Sequence, residues 1–280
     1  MSYIILRDIP KQSVQLDLLV HQIQGGFRGF REVPPGFHYG AILDRGEWRN
    51  FWCYLSPETV LVKRFDLDQQ QLVDDTPEQT AQYSQLAHQN ALDMALVPYP
   101  ANQWPGWHSL TQYITTDSPI LHKNAVSDFS SEFAPNHPSR FEQNFRETHH
   151  GNIANFLEEL QFAFLCWLMS LKGEVNLVAQ QRWSSLLNGM YNAGEFAIAS
   201  DPDLFGQFVD ALLPQLEQLP SEAFTQDSIV CTHLDDFIED MNDSANINLK
   251  KKARILLNYI TKRKEALINR HLSKTIFYSE

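Results

Sequence analysis

Two hydrophobic periods divide the chain. The first hundred residues alternate apolar and polar positions over short stretches, while from about residue 155 onward apolar residues recur every three to four positions. Tyr3 to Ile9 and Val14 to Leu19, separated by Pro10-Lys11, predict strand, turn and strand. Phe37 to Leu43, Phe51 to Leu55 and Thr59 to Phe65 predict three more strands, the last two joined through Ser56-Pro57-Glu58. Glycines and prolines between residues 25 and 36 punctuate this region, with Pro35-Gly36 as a tight turn. Such brief connections predict an antiparallel sandwich or open barrel. Thr76-Pro77-Glu78 supplies a cap and first-turn proline for a helix over 77–94, which Val97-Pro98-Tyr99-Pro100 stops. Trp107, Leu110, Tyr113 and Ile114 then fall on one face of a short helix suited to covering an edge or mouth of the sheet.

The later stripes are helical. Phe156, Leu157, Leu160, Ala163, Phe164, Trp167 and Leu168 form the first, and Phe162, Leu165 and Cys166 make its end apolar nearly all round, as in a central helix. Stripes over 175–190, 205–219, 229–241 and 249–271 follow, the third started by Asp201-Pro202. The predicted fold class is α+β: an N-terminal β-sandwich-like domain with flanking helices, followed by an all-α helical bundle. The expected divisions are 1–116 for the β-rich domain, 117–150 for a connecting segment, 151–273 for the helical domain and 274–280 for a strand-like tail.

Composition makes this an ordinary folded chain, with 43% hydrophobic residues, 18 Phe and 6 Trp among 280 residues. No apolar run approaches the length of a membrane span, and the opening residues lack a basic, then apolar, secretory pattern. The protein is therefore expected inside the cell, in the cytoplasm or, in a eukaryote, the nucleus, with no membrane partner. Three widely spaced cysteines fit a reducing compartment. The net charge of −12 argues against non-specific nucleic-acid binding, but its distribution is uneven. Residues 151–249 hold two basic against fifteen acidic side chains, whereas 250–280 hold nine basic against two acidic.

Chemistry is sparse. Gly25, Gly26 and Gly29 precede no phosphate-binding lysine, and no G-x-S-x-G elbow occurs. Cys231 and His233 are two residues apart and do not share a helix face, His149-His150 sits beside Gly151 as a helix-entry loop, and Glu158, Glu159 and Glu174 lack the histidines of a carboxylate-bridged metal site. No catalytic, cofactor-binding or metal-binding residue is assigned, and no enzyme is expected. The reading from a different class is an enzyme with a dispersed site at the domain seam, using His38, His149 or His150 with acidic residues. An RNA-binding reading would need stacking aromatics beside the late basic run, where Tyr259 is the main one. Three sets of partner-binding candidates stand out instead: Phe27, Arg28, Phe30 and Arg31 in the glycine-rich stretch; Lys250, Lys251, Arg254 and Lys262 in the basic run; and Ile276, Phe277 and Tyr278 in the tail.

Several ordered blocks carry a family resemblance. Phe27-Arg-Gly-Phe-Arg-Glu-Val-Pro-Pro-Gly-Phe-His-Tyr39, Val97-Pro-Tyr-Pro100 followed by Trp107 and Ser109-Leu-Thr-Gln-Tyr-Ile114, Leu157-Glu-Glu-Leu-Gln-Phe-Ala-Phe-Leu-Cys-Trp-Leu168 with Trp183-Ser-Ser-Leu-Leu-Asn188, and Leu249-Lys-Lys-Lys-Ala253 resemble, in order, the AAR2 family of A1-cistron splicing factors. The resemblance implies a non-catalytic assembly factor without cofactor. Such a factor holds the large scaffold protein of the U5 small nuclear ribonucleoprotein through its RNase H-like and Jab1/MPN-like domains. It also implies that the tail around Thr275 to Tyr278 acts as a strand-forming extension bridging those two domains. The chain is short for the family between Ile120 and His150, and an AAR2-like fold with a non-splicing protein-binding role is the nearest alternative.

Overall fold

The computed structural model describes residues 2–10, 12–118 and 141–277; for 142, 144 and 270–277 only the backbone is described. The chain divides into two compact units, one before the stretch 119–140 and including 172–174, the other after it.

The first unit holds nine strands among the described residues: β1 (Ser2–Arg7), β2 (Ser13–Leu16), β3 (Leu19–Gln22), β4 (Gly29–Val33), β5 (Gly36–Asp44), β6 (Glu47–Leu55), β7 (Val60–Asp66), β8 (Gln71–Asp74) and β9 (Leu96–Pro98). They form two sheets, β8-β7-β1-β4-β9 and β3-β2-β5-β6. Helix α1 (Pro77–His88) follows β8, capped by Thr76, whose hydroxyl accepts from the Gln79 N–H at 3.3 Å. Helix α2 (Trp104–Thr111) follows β9 and buries Trp107 and Leu110.

The sequence of β1 explains the layering. Ile4 and Leu6 point into the core between the sheets, with Val14, Leu16, Phe30, Ile42, Leu55 and Phe65. Tyr3 and Ile5 point the other way, with Val62 and Leu96, onto Tyr83 and Ala87 of α1. A strand buried on both faces loses its alternation and reads as the continuous apolar run seen at Tyr3 to Leu6. Gly29 permits β4 to approach β1, for its φ is +136° and a Cβ there would lie 2.0 Å from the Ile4 carbonyl oxygen.

An all-antiparallel sandwich or barrel is not what forms. β1 pairs antiparallel with β4 but parallel with β7, and β4 pairs parallel with β9. Short connections dictate antiparallel pairing only between consecutive strands. This sheet instead gathers β1, β4, β7 and β9 from distant points, and the long crossovers between them admit parallel neighbours.

Among its described residues the regular structure of the second unit is all helical: α3 (Phe141–His149), α4 (Ile153–Ser170), α5 (Leu177–Tyr191), α6 (Gly194–Ser200), α7 (Pro202–Glu217), α8 (Leu234–Asp243) and α9 (Ile247–Phe277). Helix α4 is the expected centre, with Phe156, Leu157, Leu160, Phe162, Phe164 and Leu165 all at 2% exposure or less. Asn152, Asn176 and Asp201 cap α4, α5 and α7 through their side chains. The stripe from Ile229 becomes helical only at Leu234, after His233 at φ +61°.

Where described, the segments flanking the expected helical domain are themselves helical. Part of the connecting segment is helical: α3 lays Phe141 and Phe145 against Phe205 and Phe156, at ring-centroid distances of 5.6 and 5.9 Å. The residues expected to start a strand-like tail, Lys274 to Phe277, extend α9, and Tyr278 to Glu280 lie outside the described residues. Extending a formed helix costs far less than nucleating one, and the β preference of Thr275-Ile276-Phe277 acts only where a neighbouring strand offers pairing.

Candidate functional site

His38 is fully buried, and both of its ring nitrogens face acceptors. Nδ1 lies 2.9 Å from Asp17 Oδ2 and Nε2 lies 2.8 Å from the Pro34 carbonyl oxygen. Satisfying both requires the doubly protonated imidazolium. Burial works to lower the His38 pKa, but the Asp17 carboxylate and the two hydrogen bonds prevail and hold it above the ordinary histidine value. Asp17 also accepts from the Tyr99 hydroxyl at 2.9 Å and the Tyr39 N–H at 3.0 Å. Trp104 stacks over His38 at 5.5 Å, and Trp107 donates its indole N–H to the Phe37 carbonyl at 2.6 Å. Gly36, at φ +140°, leaves the space a Cβ would take only 2.7 Å from the Trp104 ring. The Pro-Pro-Gly-Phe-His-Tyr block, the Pro-Tyr-Pro block and both tryptophans therefore meet at one interior node whose hydrogen-bonding capacity is spent on itself.

The second unit also buries charge. Arg182, 5% exposed, donates from Nε to Glu159 Oε1 at 2.6 Å, and His149 Nδ1 stands 3.6 Å from Glu159 Oε2. Burial pushes the His149 pKa down to about 4 against the pull of Glu159, so its imidazole is neutral near pH 7. His150 is exposed, at φ +54°. Trp183 donates to Gln215 Oε1 at 2.7 Å and stacks on Trp167 at 5.2 Å. Cys53, Cys166 and Cys231 are buried free thiols, and burial pushes that of Cys166 up to about 12, far from a reactive thiolate. Among the described residues no cluster of three or more His, Cys, Asp or Glu side chains could hold a metal, and no helix is long and apolar enough to cross a membrane.

The remaining features lie on surfaces. In the first unit β6 and β8 approach each other at one side of the sandwich. At the other, the outer strands β3 and β9 flank a groove of about 480 Å³ lined by Val20, His21, Phe27, Met94 and Leu96. The two strands treat their open edges differently. On β9 the Leu96 N–H is taken by the Asp93 carbonyl and Pro98 has no N–H to offer. On β3 the Ile23 N–H donates to Gln12 at 3.0 Å, which sets the pairing phase and turns the N–H and C=O of Val20 and Gln22 away from β2. Phe27 is half-buried at this groove, packing 5.4 Å from Phe30. Phe30 itself is 1% exposed and belongs to the core, so it is unavailable as a surface anchor. Arg28 is exposed and donates to the Tyr83 hydroxyl at 3.2 Å, while Arg31 pairs with Glu32.

In the second unit α9 pairs only some of its cations. Lys252 pairs with Asp210, Lys264 lies 3.9 Å from Asp235, and Arg263 donates to the Leu219 carbonyl while stacking 4.7 Å over Phe224. Lys251, Arg254 and Lys262 are exposed and Lys250 is half-buried, and none of the four has an ion pair among the described residues. Ile276 and Phe277 lie in the last turn of α9, and Tyr278 lies outside the described residues.

A family model described as the AAR2 N-terminal domain matches residues 1–125, and one described as the AAR2 C-terminal repeat region matches 111–266. The chain belongs to the AAR2 family. A curated relative, a protein AAR2 homolog from Caenorhabditis elegans, is 23% identical over 310 residues, covering 84% of this chain and 85% of that protein. Family membership supports a non-catalytic AAR2-like protein. The two AAR2 matches include the cations of α9 from Lys250 to Lys262, whereas Ile276, Phe277 and Tyr278 fall beyond them. The two matches cover all the blocks that carry the resemblance, but sequence reasoning missed that Asp17, in none of those blocks, joins two of them. Its only signal was a carboxylate in a two-residue turn between apolar strands.

Proposed function

We propose that this chain is a non-catalytic assembly factor that holds a large spliceosomal scaffold protein, as the AAR2 resemblance implies for the RNase H-like and Jab1/MPN-like domains of the U5 scaffold. The observation that carries the reading is the match of both units to AAR2 models across most of the chain. The geometry supports it. The buried His38–Asp17 and Arg182–Glu159 pairs are committed to each other, while a strand edge with outward backbone groups and a row of unpaired cations remain on the exterior. Phe27, Arg28 and Arg31 of the first unit, the cations of α9 and the end of the chain from Ile276 are the proposed contacts.

The test is an affinity pulldown from extract of the source cell, using the intact chain beside a version ending before Lys274, with bound proteins identified by mass spectrometry. Recovery of the U5 scaffold protein by the intact chain is the expected result, and its loss on truncation assigns part of the contact to the final residues. Retention of some other protein, with the scaffold absent, refutes the splicing assignment.

A further inference from the structure

We infer that the outward face of α9 is a docking surface for an acidic segment of a partner protein that carries an apolar side chain among its carboxylates. This rests on the protein-binding reading and adds to it the chemistry of the partner. Lys251, Arg254 and Lys262 are exposed and Lys250 is half-buried, and none of the four has an ion pair among the described residues. They span three turns, about 18 Å along the axis at 1.5 Å per residue. This lack of partners stands out because carboxylates abound: 34 acidic against 22 basic residues overall, fifteen of the acids between 151 and 249. The same helix pairs Lys252 with Asp210 and Lys264 with Asp235 beside its buried stripe. The cations left over are those whose complement must come from outside.

The apolar element is Ile255, 54% exposed and on the same helix face as Lys251, four residues before it, and Lys262, seven after it. An isoleucine between cations offers a phosphate backbone nothing, but it offers a peptide a place to bury a side chain. The one aromatic on this stretch, Tyr259, is half-buried and packs edge-on to Phe224, so base stacking is not provided for. A protein segment is thus favoured over RNA.

The full-length chain would be titrated into a fluorescein-labelled 18-residue Glu/Leu peptide, an all-Glu peptide of equal length and a 20-nucleotide uridine RNA, followed by fluorescence anisotropy at 50 and 200 mM salt. The Glu/Leu peptide is expected to bind best, and the triple variant K251E/R254E/K262E to weaken it at least tenfold. Ile255→Ser is expected to weaken it about threefold, and Arg45→Asp, a charge reversal on the exposed β5–β6 turn, to leave it unchanged. Circular dichroism of each variant checks that α9 persists. Preference for the RNA, equal binding of both peptides with no effect of Ile255→Ser, or no binding of the Glu/Leu peptide would each overturn the inference. Because the readout uses a synthetic peptide, it stands or falls separately from recovery of the U5 scaffold in the pulldown.

Discussion

Replacing Asp17 tests the buried node most directly. In Asp17→Leu the imidazolium of His38, the Tyr99 hydroxyl and the Tyr39 N–H all lose their acceptor while remaining buried. Breaking one partner of a buried ion pair costs about 3–5 kcal/mol. His38 can escape part of this by losing its proton, but one of its two nitrogens then has no matching bond. Asp17→Asn differs in kind. The amide oxygen can still accept from Tyr39 N–H, its NH2 can donate to a deprotonated Nδ1, and His38 keeps its Nε2–H bond to Pro34. Asp17 has φ +53°, a region asparagine tolerates well, so the backbone adds no penalty. The asparagine variant should therefore lose only about 1–2 kcal/mol, in line with a weakened but still paired set of hydrogen bonds.

The assay is urea unfolding of the full chain by circular dichroism at pH 6 to 9. With a slope of about 2 kcal/mol per molar, the leucine variant should lower the midpoint of the first unit by about 2 M and the asparagine variant by less than about 1 M. The pH dependence gives the sharper check. The His38 pKa is raised in the folded state, so its contribution is fully present below the unfolded value of about 6.5 and declines as pH rises through the folded one. The wild type should lose stability across that alkaline window, and Asp17→Asn should flatten the loss. Equal midpoints for the two variants, or an alkaline slope unchanged by the asparagine, would refute the assignment of an imidazolium to His38.

His149 should act in the opposite direction. Its folded pKa is depressed to about 4, so its contribution is present above about 6.5 and is lost as pH falls toward 4, and His149→Gln should reduce that acid sensitivity in unfolding of the second unit. Gly36→Ala places a Cβ 2.7 Å from the Trp104 ring at a positive φ and should cost about 3 kcal/mol, read as a lower thermal midpoint. Trp107→Phe keeps an aromatic ring in place but removes the indole donor to the Phe37 carbonyl, and should cost about 1–3 kcal/mol by the same measurement.

Much of the fold was written in periodicity. The all-round apolar end of α4, the Asp201-Pro202 start of α7 and the Thr76-Pro77 start of α1 each follow from local chemistry, and each appears where that chemistry puts it. Long-range pairing was not legible. Nothing local to Tyr3-Ile-Ile-Leu6 says that β7, more than fifty residues on, lies beside it in parallel, because a strand buried on both faces carries no facing signal. The end of α9 misled for a related reason: Thr275-Ile276-Phe277 has a β composition, and composition yields to a helix already formed. Of the candidate site, the exposure of the α9 cations was readable from helical spacing. That Phe30 faces inward while Phe27 lines a groove depended on β4 pairing with β1, which spacing alone does not fix.

The buried node and the available surfaces draw on different residues, even where one family block holds both, for a physical reason. Pro34 to Tyr39, Tyr99, Trp104 and Trp107 converge on a node of hydrogen bonds and close ring packing, so substitutions there leave a buried group unpaired or force a clash. Such positions hold their identity whatever the protein binds. Lys251, Arg254, Ile255 and Lys262 meet no interior constraint of that kind, and exchanging one of them costs the fold little. One family block can thus serve folding at some positions and the surface at others: Phe37 and His38 are buried in the block that begins with Phe27 and exposed Arg28, and Leu249 and Ala253 are buried beside Lys250 and Lys251. Partner choice in this protein should accordingly shift with a few charge changes along α9 that leave unfolding midpoints unmoved. Changes at the Asp17 and His38 node should do the reverse, lowering stability and leaving peptide affinity intact wherever the chain stays folded.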